Sequence, residues 1–425
     1  MGHHTARTGY QALVERLNRF PQGAPPNETL FKILSILFSE EEAAFVSKLP
    51  VQGFDAQEAA KRLNVEVEAA VEVLDRLASR ALLIDYEKNG VKNYVLPPPM
   101  AGWIEFSMMR LRTDVDQHAL GELLHQYMNV EEDFVRELFF GSETKMVRAF
   151  VNEKALSSDM EILDYQRATA VIESAEHIGI SMCYCRHKME HVGKACDAPM
   201  DICMTFGKTA ASLIKAEYAR AIDKEECLDL LEKAYQNNLV QIGENVQNEV
   251  AFICNCCGCC CEALLAAKKF GTAQTIATTA YIPELQAEKC NLCGKCQRVC
   301  PLEALGAVVP KSSGQTKSLP ELDREMCLGC GVCVRACPTE ALSLVHVGQR
   351  QMTPVNTAHR VVMTALDKGK LPELLYDNKD LKSHRLMAGI LNVILALPPL
   401  KQLAASEQLR STYLVKLIEK KNNSH

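Results

Sequence analysis

The sequence lacks the motifs that would let the chain bind a nucleotide cofactor by itself. No G-x-G-x-x-G segment follows a strand-like run, and no Walker sequence is present. We therefore expect any flavin or NAD to be bound by a partner subunit. Positive charge is also scarce: the 425 residues carry a net charge of −6, without the basic character typical of nucleic-acid-binding proteins.

Long apolar segments are missing as well. The N-terminal residues contain no apolar stretch of the kind found in secretory signals. The longest apolar run, residues 386–400, is interrupted by Asn392 and ended by Pro398-Pro399, so it is too short to span a bilayer. We expect a cytoplasmic protein without a membrane span.

Cysteine, by contrast, is abundant, with 19 residues in the chain. Many of these cysteines are adjacent or separated by one or two residues, and such close neighbours cannot form separate structural disulfides. Clustered thiolates are typical of soft-metal ligation in a reducing compartment.

The N-terminal part of the chain shows the pattern of a winged helix. Residues 29–38 and 57–63 have helical patterns, and Asp55 is a plausible N-cap for the second of them. Apolar residues then recur at helical spacing from Val67 to Leu77, and Asn89-Gly90 predicts a hairpin turn between two strand-like runs.

The helix that would enter a DNA groove in such a unit is acidic. It carries four acids against two bases, namely Glu66, Glu68, Glu72 and Asp75 against Arg76 and Arg80. Since phosphate contacts require Lys and Arg, we expect a docking or structural role and no nucleic-acid partner.

A Cys-x2-Cys-x2-Cys-x3-Cys-Pro motif occurs twice, starting at Cys290 and at Cys327. Each cysteine of the second copy follows its counterpart by 37 positions, and the flanking residues match as well, so the motif is an internal repeat. This spacing lets three thiolates of one loop bind one 4Fe–4S cubane, while the fourth reaches the neighbouring cluster. Zinc ribbons need only paired cysteines and do not predict the third and fourth positions.

The repeat therefore predicts two exchanged ligand sets. The first set is Cys290, Cys293, Cys296 and Cys337; the second set is Cys300, Cys327, Cys330 and Cys333. Pro301 and Pro338 are expected to start helices after the fourth cysteines. The motifs resemble those of bacterial two-cluster ferredoxins, apart from a longer connection between Cys300 and Cys327 that includes residues 311–315. We expect this connection to be a surface loop that could contact a partner.

Four further cysteines lie upstream and suffice for another 4Fe–4S cluster or, alternatively, a zinc site: Cys183, Cys185, Cys196 and Cys203. The apolar run 180–184 predicts a strand end that delivers the first ligands, and Cys203 is expected in a loop before a helix at 208–221. Nearby basic residues, Arg186, Lys188 and Lys194, would offset the cluster charge and raise its potential.

A run of eight residues then holds six cysteines: Cys254, Cys256, Cys257, Cys259, Cys260 and Cys261. Two assignments are open. Either this run and the upstream four hold one cubane each, or the two sets interleave to hold two clusters or one larger non-cubane cluster. A helix from Glu262 would place its N-terminus here, where its dipole favours thiolates. The isolated Cys227 is predicted to be a core residue.

Residues 256–258 bear a weak resemblance to the CCG motif of heterodisulfide reductase subunits, which bind non-cubane clusters. The combined cysteine pattern over about residues 100–345 resembles an uncharacterised group of multi-cluster 4Fe–4S-binding proteins of anaerobes. That resemblance implies a redox function but no particular substrate.

Taken together, the patterns predict an α+β fold with four segments: a winged-helix-like domain at 28–99, a helical and cysteine-rich module at 100–280, a two-cluster ferredoxin domain at 281–348 and a helical tail at 350–425. The main hypothesis is an electron-relay subunit of an anaerobic oxidoreductase, in a hetero-complex or a homo-oligomer. Two alternatives are a reductase with an active-site cluster in the Cys183–Cys261 module and a redox-sensing winged-helix regulator.

Overall fold

The computed structural model describes residues 3–156, 162–307, 319–348, 351–378 and 381–396. These residues form two compact units. The first unit comprises the described residues within 1–144, 208–220 and 354–425, and the second comprises those within 145–207 and 221–353. The four segments suggested by the sequence stay a prediction as independent domains.

The described residues form both helices and strands. The α-helices of the described residues are α1 (His3–Leu17), α2 (Glu28–Leu37), α3 (Glu40–Lys48), α4 (Ala56–Leu63), α5 (Val67–Ser79), α6 (Ile104–Phe106), α7 (Gln117–His125), α8 (Asp133–Phe140), α9 (Ala168–Ser174), α10 (Tyr184–His191), α11 (Gly207–Lys215), α12 (Lys224–Gln236), α13 (Glu262–Phe270), α14 (Lys295–Val299), α15 (Val332–Arg335), α16 (Thr357–Asp367), α17 (Leu371–Leu375) and α18 (Lys382–Ala396). The strands are β1 (Phe54–Asp55), β2 (Ile84–Lys88), β3 (Val91–Val95), β4 (Val147–Ala149), β5 (Ile178–Met182), β6 (Asp201–Phe206), β7 (Arg220–Ala221), β8 (Val240–Glu244), β9 (Phe252–Cys256), β10 (Tyr281–Leu285), β11 (Leu305–Ala307), β12 (Pro320–Leu322) and β13 (Leu342–His346). This mixture confirms the predicted α+β fold class.

The first unit contains the winged-helix arrangement that the sequence indicated. The elements run α3–β1–α4–α5–β2–β3, and the strands form a sheet in the order β1-β3-β2. Asp55 caps α4 by accepting the Glu58 backbone N–H at 2.8 Å. Asn89 and Gly90 have φ of 53° and 75°, as the tight β2–β3 turn requires.

The second unit is built on a sheet in the order β4-β8-β9-β6-β5-β7. Helices α9 and α12 cover one face, where Ile180, Met204 and Ile253 pack against Cys227 and Leu231. Cys227 is fully buried there, which agrees with its predicted core role. Strand β4 was not predicted, because it is short and buried on both sides, whereas β5 agrees with the strand end predicted from the apolar run 180–184.

The described residues within 281–346 contain two strand pairs. β10 pairs with β13 and β11 with β12, and both pairings are antiparallel. The first strand of each repeat copy carries the tripeptide Pro-Glu-Leu, at 283–285 and at 320–322, and pairs with the last strand of the other copy. Leu285 is paired with Leu342, and Leu322 is paired with Leu305 in the same way. Each copy of the repeat therefore pairs its first strand with the last strand of the other copy.

No helix among the described residues combines the length and the apolarity needed to cross a bilayer. The longest apolar run begins in α18, but residues 397–400 at its end lie outside the described residues. The predicted surface loop at 311–315 lies outside them too.

Candidate iron–sulfur centres

The two cysteine motifs of residues 281–346 adopt the same backbone conformation. Left-handed φ values recur at positions 37 apart, at Leu292 and Gly329, at Gly294 and Gly331, and at Glu303 and Glu340. Helices α14 and α15 begin directly after Gly294 and Gly331, respectively. The sequence repeat is therefore a structural repeat.

The helix placement differs from the expectation in one respect. Helix α14 precedes the fourth cysteine of its motif, Cys300, and Pro301 and Leu302 form a turn that leads into β11. The prediction that Pro301 and Pro338 start helices was wrong, because the chain must turn at once to bring β11 and β13 into their sheets.

Each turn supplies a matching backbone donor to the fourth cysteine. The Ala304 N–H lies 3.3 Å from Sγ of Cys300, and the Ala341 N–H lies 3.3 Å from Sγ of Cys337. Such N–H···S contacts favour a negatively charged sulfur, which is the form that binds iron.

The predicted second ligand set lines one cavity. Cys300, Cys327, Cys330 and Cys333 all contribute to its wall, together with apolar residues such as Leu305 and Leu322. Cys327 and Cys333 are buried, and burial with the charges of Cys300 and Cys327 raises the pKa of Cys330 to about 12. Four thiols that line one cavity are compatible with the ligand set of a 4Fe–4S cluster.

The predicted first set is gathered as well. Burial raises the pKa of Cys296, and the charges of Cys337, Cys290 and Cys293 raise it further, so these sulfurs are electrostatic neighbours. Cys337 thus lies with the three cysteines of the other motif. Cys293 is exposed, which places one edge of this set at the surface.

A further group of four thiols lies upstream and is called the Cys257 group here. Its Sγ atoms all lie within 4.8 Å of one another and belong to Cys196, Cys257, Cys259 and Cys260. Sγ of Cys196 is 3.5 Å from that of Cys257 and 3.9 Å from that of Cys260. Hydrogen bonding from Cys260 and the charge of Arg186 lower the pKa of Cys257 to about 4, so a thiolate forms readily.

A neighbouring set, called the Cys261 group, comprises Cys183, Cys185, Cys256 and Cys261, which interact through their thiols. Hydrogen bonds from Cys185 and Cys256 lower the pKa of Cys261, and the N–H groups of Leu264 and Ala263 at the start of α13 add to this effect. Cys183 directly follows β5, as the predicted strand end required.

The two groups interleave along the chain. The adjacent residues Cys256 and Cys257 fall in different groups, and so do Cys260 and Cys261. Cys256 ends β9 and Cys261 caps α13, whereas Cys257, Cys259 and Cys260 lie in the turn between them. The thiols of the two stretches of sequence are therefore mixed: Cys196 lies with three cysteines of the run, and Cys185 interacts with Cys261.

Two of the predicted ligands stand apart from these eight residues. Cys254 lies two residues before Cys256 on β9 and hydrogen-bonds to it, which places it beside the Cys261 group. Cys203 lies on β6 opposite Ser181, so its predicted placement in a loop was wrong. The helix that follows β6 is α11, which ends at Lys215 rather than at residue 221.

Arg186 lies between the two groups. It is fully buried and donates to the backbone oxygens of Pro199 and Asn255 at 2.6 and 2.7 Å. The charges of Cys183 and Cys257, one residue from each group, raise its pKa. Sequence reasoning placed Arg186 near one cluster but gave no sign that it would touch both groups.

Lys188 is less available as a counter-charge than the sequence suggested. It is fully buried and forms an ion pair with Glu262, whose carboxylate also accepts the Tyr184 hydroxyl at 3.3 Å. The neighbouring His187 and His191 face each other with Nε2 atoms 3.2 Å apart. The buried charge left beside the thiols is therefore that of Arg186.

The backbone of the upstream cysteine run contacts the backbone of the repeat region at Gly258. A Cβ added at Gly258 would lie only 2.2 Å from the carbonyl oxygen of Pro301, so the two backbones are in direct contact. Lys268 of α13 also forms an ion pair with Glu303 at 2.6 Å.

Comparison with protein families matches residues 289–341 to the 4Fe–4S dicluster domain. A search of curated proteins and a search of solved structures gave no match. The chain thus binds iron–sulfur clusters through a dicluster domain and carries a second, cysteine-rich site able to hold metal.

Proposed function

We propose that this chain is the electron-relay subunit of an anaerobic oxidoreductase complex, in which electrons pass between the upstream thiol groups and the dicluster domain. Bound 4Fe–4S clusters supply one-electron transfer, at potentials between about −700 and +450 mV. The ligands proposed for the dicluster domain are the two exchanged sets, and those proposed upstream are the Cys257 and Cys261 groups with Cys254 and Cys203.

The contact between Gly258 and Pro301 is the observation that carries this proposal. Gly258 is flanked by Cys257 and Cys259, and Pro301 follows Cys300 of the second set. One backbone contact therefore joins the two cysteine-rich regions, and both belong to the second unit. A side chain at position 258 would separate them.

Two exposed thiols support an entry and an exit for electrons. Cys259 is exposed in the Cys257 group, and Cys293 is exposed in the first set. A redox partner, such as a flavin- or NAD-binding subunit, would dock near one of these edges. Docking or scaffolding is proposed for the winged-helix unit, because Glu66 at the N-cap of α5 and Glu68 and Glu72 on α5 are exposed and would repel a nucleic acid.

Anaerobic reconstitution with iron and sulfide tests the proposal. We expect more than about eight irons per chain, the content of two cubanes, and reduction of the dicluster domain through the upstream site in a stopped-flow experiment. A chain that holds fewer than about eight irons, or whose two regions are reduced independently, would contradict the relay.

A reductase is the second candidate, and the exposure of Cys259 favours it. An exposed ligand can yield its position to a substrate, whereas fully buried thiolates leave no opening. A substrate that changes the EPR spectrum of the upstream site would support this function. Spectra unchanged by every tested substrate would leave the relay as the better account.

A further inference from the structure

Arg148, on β4, is buried without a complete set of partners. It is 4% exposed, and its guanidinium lies 4.4 Å from the ring centre of Phe150 and 5.4 Å from that of Tyr165. Its Nε donates to the Glu244 carbonyl at 3.3 Å. Its Nη2 is buried and has no hydrogen-bond partner among the described residues. A buried charged donor without an acceptor is costly, so a ligand is expected there.

A cavity lies beside this guanidinium, within the second unit. The polar residues of its wall include Arg148, Tyr165, Gln166, Thr278, Thr279 and Gln351. Hydroxyl and amide groups thus surround one cationic side chain, which is the arrangement that fixes a small anion. None of these residues belongs to the thiol groups or to the predicted ligand sets.

We propose that the cavity beside Arg148 binds the carboxylate group of a small organic acid. The guanidinium is a planar fork that matches the two oxygens of a carboxylate. It supplies one positive charge, and the carboxylate of Glu244 also acts on it electrostatically. Because Glu244 offsets part of the guanidinium charge, a dianionic phosphate would be poorly neutralised, and a monoanionic carboxylate fits the site better.

The position of the cavity gives this site a link to the dicluster domain. Thr279 donates through its backbone N–H to the Leu328 carbonyl at 2.9 Å and through its hydroxyl to the Gly329 carbonyl at 2.8 Å. Leu328 and Gly329 lie between Cys327 and Cys330 of the second set. A carboxylate bound in the cavity would thus lie beside Thr279, which also hydrogen-bonds to this cysteine loop.

Calorimetric titration of the reconstituted chain under anaerobic conditions tests the proposal, with acetate and formate as probes at constant ionic strength. We expect saturable 1:1 binding of at least one carboxylate, weakened at least about tenfold in Arg148→Gln. The matched control is Arg136→Gln, since Arg136 lies on the exposed face of α8 in the first unit. The iron content of Arg148→Gln should stay that of the unmodified chain.

Three results would overturn the site. These are the absence of saturable carboxylate binding below about 100 mM, unchanged affinity in Arg148→Gln, and tighter binding of inorganic phosphate than of acetate. If Arg148→Gln does not fold, the unmodified chain still decides: acetate should raise its midpoint of thermal unfolding relative to chloride at equal ionic strength, and no such rise refutes the site. The iron count is independent of this result, so the relay and the carboxylate site can fail separately.

Discussion

The two cysteine-rich regions of the second unit are organised by different rules. In the dicluster domain, an internal repeat sets the position of every predicted ligand, and the predicted exchange of the fourth cysteines parallels the exchanged pairing of strands β11 and β13. The upstream region has no such repeat. Neighbouring cysteines there fall in different thiol groups, because one lies at the end of a strand or helix and the next lies in the turn between them. We infer that cysteine spacing predicts which thiols become neighbours most directly where one backbone conformation is reused.

The largest expected effect tests the exchange in the dicluster domain. We expect Cys333→Ser and Cys337→Ser each to lose about four irons, but from different clusters. The EPR spectrum of Cys337→Ser should match that of Cys290→Ser, because Cys337 lies with the first motif. Cys227→Ala is the control and should keep all its iron, since Cys227 is a core residue. Identical spectra for Cys333→Ser and Cys337→Ser would refute the exchange.

The next effect tests the interleaving upstream. Cys196→Ser should remove iron from the upstream site, because Sγ of Cys196 lies within 4.8 Å of three other thiols. Cys203→Ser should lose less iron, since Cys203 lies on β6 outside that group. Iron analysis and Mössbauer spectroscopy of the two variants measure the difference. If both variants lose the same amount of iron, the result would instead favour one cubane bound by Cys183, Cys185, Cys196 and Cys203.

The sequence predicted the dicluster domain closely because local spacing and tertiary structure coincide there. The same holds for the Asp55 cap and the Asn89-Gly90 turn, whose conformations depend on nearby residues. The start of α13 at Glu262 was predicted, but the partition of Cys254 to Cys261 was not, since it also depends on where β9 ends and on the turn that follows. The role of Arg186 depends on the distant residues Pro199 and Asn255, which no local pattern reveals.

An intermediate effect is expected where the two regions meet. In Gly258→Ala the new Cβ would clash with the Pro301 carbonyl, and overpacking of this kind costs about 1–3 kcal/mol. We expect a midpoint of thermal unfolding lower by several degrees and slower electron transfer between the regions in stopped-flow measurements. Gly306→Ala is the matched control, because a Cβ there meets nothing within 4 Å. Equal rates of electron transfer in both variants would show that electrons do not pass through the Gly258–Pro301 contact.

The smallest effect concerns the charge between the two upstream groups. Arg186→Gln removes a buried positive charge that acts on Cys183 and Cys257, one residue from each group. Since a nearby cation stabilises the reduced form of a cluster, we expect the upstream potential to fall by about 60 mV, which is a tenfold change in the one-electron equilibrium. Arg186→Lys keeps the charge and should restore most of this shift, whereas the dicluster potentials should be unchanged in both variants. A redox titration followed by EPR measures all of these potentials in one sample. If the potential of only one upstream signal shifts, Arg186 acts on one thiol group. If the potentials of all upstream signals shift, both groups share the charge of Arg186. The dicluster domain has no need of such a shared charge, because its repeat gives each motif its own matching backbone donor.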